Sequence, residues 1–107
     1  MNPEEILVRA GDKWLVLRIA DIRYIKADNK VCRVITIHRE HILTTPLQVL
    51  EADLPRDRFL RVHRCYLVAW SHITALTTNG VYVGSEELPV SRNVLPDLNS
   101  RYAMRYY

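Results

Sequence analysis

Residues 6–45 are written as short runs of apolar and β-branched residues, each ended by turn chemistry. That spelling leaves room for little besides consecutive β-strands. Ile6-Leu7-Val8-Arg9 and Trp14-Leu15-Val16-Leu17-Arg18-Ile19 flank the turn-like Ala10-Gly11-Asp12-Lys13, which is a hairpin signal. Ile22-Arg23-Tyr24-Ile25-Lys26 alternates with period two. Asp28-Asn29-Lys30 is a polar turn, and Cys32-Arg33-Val34-Ile35-Thr36-Ile37 is rich in β-branched residues. His38-Arg39-Glu40-His41 turns the chain again before Ile42-Leu43-Thr44.

The period then changes. Thr45-Pro46-Leu47-Gln48 predicts a helix start, with Thr45 as N-cap, Pro46 at the first helical position and Gln48 placed for a capping box. Leu47, Leu50 and Leu54 share one helical face and Pro55 stops the helix, giving roughly two to three turns. Phe59 to His63 reads as another strand, and Ile73-Thr74-Ala75-Leu76 and Val81-Tyr82-Val83 flank Thr77-Thr78-Asn79-Gly80, with Asn-Gly as the hairpin turn. Glu86-Glu87-Leu88-Pro89-Val90 ends the β region. Ser91 is placed to cap a second helix over residues 92–99, which Pro96 should leave short, kinked or delayed. The chain of 107 residues fits one mainly β domain over residues 1–107, with a short helix after Thr45 and a short C-terminal helix after Ser91.

Catalysis finds no foothold. The sequence holds no GxSxG, no HExxH and no Gly-rich phosphate loop, and only 3 glycines in all, so no enzyme and no cofactor is expected. His38 and His41 could form an HxxH pair, but on a strand they would face opposite sides, and no further ligands complete a site; an exposed turn is the simpler reading. Cys32 and Cys65 form no CxxC and are expected as free thiols. Trp14 and Trp70 are expected in the core or half-buried. No stretch approaches the roughly 20 apolar residues of a membrane helix, and the N-terminal MNPEEILVR lacks a signal-peptide core, so the cytoplasm is expected. Of 15 cationic side chains, counting along the sequence gives 12 arginines. Arginine binds phosphate and guanine edges bidentately, although a GC-rich genome would give the same bias.

Three turns combine polar and cationic residues: Asn29-Lys30-Val31-Cys32-Arg33, His63-Arg64-Cys65-Tyr66 and Ser91-Arg92-Asn93, the last at an expected helix N-terminus that suits a phosphate. Any one of them is simplest as an exposed polar turn. Together they point to a polyanion site if the fold brings them to one edge. Within Phe59-Leu60-Arg61-Val62-His63-Arg64, Arg61 is expected at the surface or phosphate side, His63 as structural, and Arg64 where strand gives way to turn.

Arg61-Val62-His63-Arg64-Cys65-Tyr66-Leu67-Val68, preceded by Phe59 and followed by Ile73, resembles the signature segment of the LytTR family of bacterial DNA-binding domains, F-x-R-V-H-R-S-Y-L-V-N. Leu88-Pro89-Val90-Ser91-Arg92-Asn93 resembles the family's closing L-P-V-S-R motif, and Asp21-Ile22-Arg23-Tyr24-Ile25-Lys26-Ala27 its D-I-x-Y-I-E-A strand. Order and spacing match over residues 6–98. The resemblance implies an elongated antiparallel β fold that grips DNA through loops. Carried over, the contacts fall on Lys30, Cys32, Arg33, Arg64, Cys65, Ser91, Arg92 and Asn93. Arg64 and Arg92 would read bases, while Lys30, Arg33, Ser91 and Asn93 would hold phosphates. Cys65 stands where the family has Ser and Ala69 where it often has Asn, and Pro96 interrupts the last helix. The resemblance further implies double-stranded DNA with direct repeats as the partner, a homodimer on DNA, and an upstream receiver or sensor domain that these residues do not include. The alternative is a protein-interaction or small-ligand domain that kept the fold without DNA binding. The tail Arg101-Tyr102-Ala103-Met104-Arg105-Tyr106-Tyr107 would then be a docking surface or an oligomer contact, unless it packs on the sheet.

Overall fold

Ile22-Arg23-Tyr24-Ile25 places Ile25 on one face of its strand and Tyr24 on the other, and both are buried. A strand buried on both faces must lie inside a layered structure. The computed structural model describes residues 4–102 and places this strand, β3 (Ile22–Asp28), at the centre. Its neighbours are β4 (Val31–Thr36) and β7 (Tyr66–Ala69), with β5 (Glu40–Leu43) and β6 (Phe59–His63) at the edges. The order is β5-β4-β3-β7-β6 and all pairings are antiparallel.

One face of this sheet is covered by the hairpin β1 (Glu5–Ala10) and β2 (Lys13–Arg18) and by α1 (Leu47–Asp53). Val8, Leu17, Ile25, Val34, Leu43, Leu47, Leu50 and Leu54 form that core. The other face meets a three-stranded sheet of β8 (Ile73–Leu76), β9 (Gly80–Val83) and β10 (Glu86–Pro89), together with α2 (Leu95–Arg101). Tyr24, Val62, Val68, Val81, Val83, Leu88 and Leu98 fill that second core. The described residues measure 49 × 32 × 24 Å, so the mainly β, antiparallel and elongated expectation holds.

Local details differ from the sequence reading. Pro46, not Thr45, is the N-cap of α1, because the Pro46 carbonyl accepts from Val49 at 3.1 Å and Leu50 at 3.2 Å, and no side chain caps the helix. Trp14 is 61% exposed rather than buried. The alternation of β2 turns Leu15 and Leu17 inward, leaving Trp14 on the outer face with the Arg9 guanidinium 5.5 Å from its ring. Trp70 is half-buried as expected, packed against Tyr102. Gly80 does not form the hairpin turn. It opens β9, where a Cβ would lie 2.6 Å from the Leu88 carbonyl oxygen, so glycine there permits a close strand approach. Glu40 and His41 belong to β5, and Thr36 closes the turn before them by donating to the Arg39 carbonyl at 2.9 Å. Pro96 lies in the first turn of α2, after a 3₁₀ turn over Arg92–Val94, where its missing N–H costs no helix bond. The helix is thus delayed, and its N-terminus is not at Ser91.

Tyr24 ties the central sheet to the three-stranded sheet across the second core: its hydroxyl donates to Glu86 on β10 at 2.6 Å. Burial, then the bond to Glu86, pushes the Tyr24 phenol above its ordinary value. The native state therefore keeps a proton that the unfolded chain releases above about pH 10. This stability is complete below that pH and is lost as pH rises above it. Tyr24→Phe should cost about 1.5 kcal/mol at neutral pH and flatten the alkaline limb of a stability-versus-pH curve measured by urea unfolding. An unchanged alkaline limb would remove Tyr24 from that role.

Candidate nucleic-acid interface

Antiparallel pairing of β3 with β7 sets Lys26 opposite Tyr66, which brings the β3–β4 and β6–β7 turns to the same end of the central sheet. The Ala27 N–H donates to the Cys65 carbonyl at 2.8 Å and fastens the two turns together. The third polar segment joins them from the other core. Val62 sits at an irregularity in the edge strand β6, and its carbonyl accepts the Ser91 N–H at 2.8 Å. Two backbone hydrogen bonds thus hold the three cationic segments, around residues 29–33, 63–66 and 91–93, at one end of the molecule.

What each turn presents differs. Asn29 adopts φ 63°, a left-handed conformation that asparagine tolerates, and the turn leaves Lys30 exposed. Arg64, Arg92 and Asn93 are also exposed, and among the described residues no carboxylate pairs with Lys30, Arg64 or Arg92. Arg33 is held instead by Asp28 at 2.8 Å and Glu40 at 3.1 Å. Its hydrogen bond keeps the Asp28 carboxyl below the usual range. Two carboxylates leave that guanidinium no net positive charge to offer. Cys32 is 3% exposed and its thiol is pushed up by burial, so it serves the core. Cys65 is half-buried, and both cysteines are free. Ser91 is half-buried and makes no side-chain cap; its carbonyl accepts from Val94 at 3.0 Å.

Behind Arg64 is a support that sequence reading missed. Arg61 does not face outward. Its Nε donates to the His63 carbonyl at 3.0 Å, one terminal nitrogen to Glu51 at 2.7 Å, and the other to the Arg64 carbonyl. His63 is structural as expected: its Nδ1 accepts the Cys65 N–H at 3.1 Å. His63 also packs edge-on to Tyr66, with ring centroids 5.9 Å apart, and Tyr66 packs against Tyr24 at 6.1 Å. Two side chains from β6 and one from α1 therefore fix the backbone that carries Arg64. No spacing rule pairs Arg61 with Glu51, which lie on a strand and a helix.

A family model described as the LytTr DNA-binding domain matches residues 12–103. The chain belongs to this family. A LytTr DNA-binding domain of a methyl-accepting/DNA response regulator from Bacillus cereus has the same fold, with a TM-score of 0.76 at 24% identity over 92% of this chain and 96% of that one. The sensory transduction protein LytT of Bacillus anthracis is 29% identical over 78% of this chain and 37% of its own length. The CO-responsive transcriptional regulator RcoM of Rhodospirillum rubrum is 41% identical over 61% of this chain and 28% of its own. This LytTr chain therefore spans well under half the length of LytT and of RcoM. No helix among its described residues is long and apolar enough to cross a membrane.

Proposed function

We propose that this LytTr domain binds double-stranded DNA sequence-specifically through the β3–β4 turn, the β6–β7 turn and the segment after β10, as the effector module of a bacterial transcription regulator. The observation that carries the reading is the pair of backbone bonds, Ala27 to Cys65 and Ser91 to Val62, that gathers uncompensated cations at one end. Arg64 and Arg92 are the base-reading residues, because a guanidinium matches the guanine edge bidentately. Lys30, Ser91 and Asn93 hold phosphates and set register. Arg33 and Cys32 shape the β3–β4 turn from behind, and Cys65 contributes its backbone.

The reading extends to one LytTr-like domain over residues 1–107, working in the cytoplasm. It binds as a pair of copies on direct repeats, under a receiver or sensor domain supplied by a longer protein, as the greater length of LytT and RcoM supports. Selection of bound sites from a random duplex pool tests it. An enriched motif with a repeat is expected, and no salt-sensitive binding at any concentration would overturn it. Lys30→Ala should weaken binding to selected and random duplexes alike and lower the slope of log affinity against log salt by about 1 in fluorescence anisotropy titrations.

A further inference from the structure

The end of the molecule away from the DNA-facing turns carries an unfinished sheet edge. Among the described residues β2 pairs with β1 alone. The Ile19 N–H donates to the Glu4 carbonyl at 2.9 Å, and Glu5 is registered with Arg18. Antiparallel ladders alternate, so the N–H and C=O groups of Trp14, Val16 and Arg18 face away from β1. The side chains on that row are also open: Trp14 is 61% and Val16 59% exposed. Beside this edge runs a shallow groove of about 410 Å³, bounded by residues 15–18 on one side and by Thr36, His38, Arg39 and His41 on the other. Its charge is lopsided. Arg18 and Arg39 are exposed, while its one carboxylate, Asp21, lies 3.5 Å from the His38 ring nitrogen.

We infer that this groove is a docking site for an extended peptide segment with alternating acidic and apolar residues, added as a strand to the free edge of β2. The backbone groups of Val16 and Arg18 supply the pairing, Trp14 and Val16 take the apolar side chains, and Arg18 and Arg39 take the carboxylates. A second copy of this chain fits less well. Its β2 carries Lys13 and Arg18 and no carboxylate, so it would add cations beside Arg18 and Arg39 and offer neither a partner. The site is on the opposite end from Lys30, Arg64 and Arg92, so a partner held there leaves the DNA face open.

The experiment is an amide chemical-shift titration of the whole chain with an octapeptide of alternating glutamate and valine, and separately with its lysine–valine counterpart. The acidic peptide should shift residues 13–18 and 36–41, and the basic one should shift neither segment. Val16→Pro removes an outward N–H at a place where an edge strand tolerates proline, and should abolish the shifts while thermal unfolding stays cooperative. Arg18→Glu with Arg39→Glu should weaken the acidic peptide about tenfold and admit the basic one. Shifts confined to Lys30, Arg64 and Arg92 would mean mimicry of DNA and overturn the proposal. So would an absence of shifts, or β2 shifts that depend on protein concentration without peptide, which would make a second copy the occupant.

Discussion

Arg64→Ala should lower the preference for a selected duplex over a random one by roughly 10- to 100-fold, because a bidentate arginine–guanine pair supplies about 1–3 kcal/mol of discrimination. Affinity for random DNA should fall only by the share of one charge. The distinction follows from where the side chain sits. Arg64 is exposed at the tip of a hairpin whose backbone is already bonded, with Cys65 tied to both Ala27 and His63. Losing the side chain therefore removes a reader without loosening the turn. Competition binding with both duplexes at one salt concentration checks this. Equal losses on the two would reassign Arg64 from bases to phosphates.

Arg61→Ala should act in the opposite manner, through the fold. Its guanidinium satisfies the His63 and Arg64 carbonyls and the Glu51 carboxylate at once, and its side chain is 29% exposed. A bond to a charged group contributes about 1.5–3 kcal/mol, so a loss of about 2–3 kcal/mol is expected, or a fall in Tm on the order of 10 °C. DNA affinity should fall on every sequence, although the Arg61 guanidinium is already engaged by Glu51 and by the His63 and Arg64 carbonyls, because the β6–β7 turn loses its brace. Arg61→Lys separates the two roles. A lysine keeps the charge beside Glu51 but cannot reach the same acceptors with a planar fork. Binding should therefore recover little. Full recovery in the lysine variant would mean that positive charge, not the brace, is what DNA binding needs.

The strand-by-strand spelling of residues 6–45 translated directly into β1 to β5, since hydrophobic alternation reports which face is buried whatever the partner. The polar turns were equally legible, because Asn29, Arg64 and Arg92 are residue types that turns and anions select. Other features depend on tertiary contacts that no local pattern encodes. The strand Phe59–His63 was legible, but Tyr66–Ala69 as its hairpin partner was not, because the Arg64-Cys65 turn between them is held by His63 and Arg61 instead of by glycine or asparagine. Arg33 looked as available as Arg64 in sequence. Only the register that sets it opposite Ile42, next to Glu40, with Asp28 across the turn, reveals that its charge is matched. Trp14 looked like core because tryptophan usually is, yet the inward alternation of Leu15 and Leu17 decided its side. Residues 103–107, part of the expected docking tail, lie outside the described residues, while Arg101 and Tyr102 pack on Trp70.

Under the proposed function, turns distant in sequence act as one DNA surface. The most direct measurement is an amide chemical-shift titration of the chain with a duplex selected from a random pool. Residues 29–31, 63–66 and 91–94 should shift together along a single binding curve, with β1, β2 and the β4–β5 turn silent. Shifts centred on the β1–β2 hairpin or on α2, with those three segments unmoved, would contradict it.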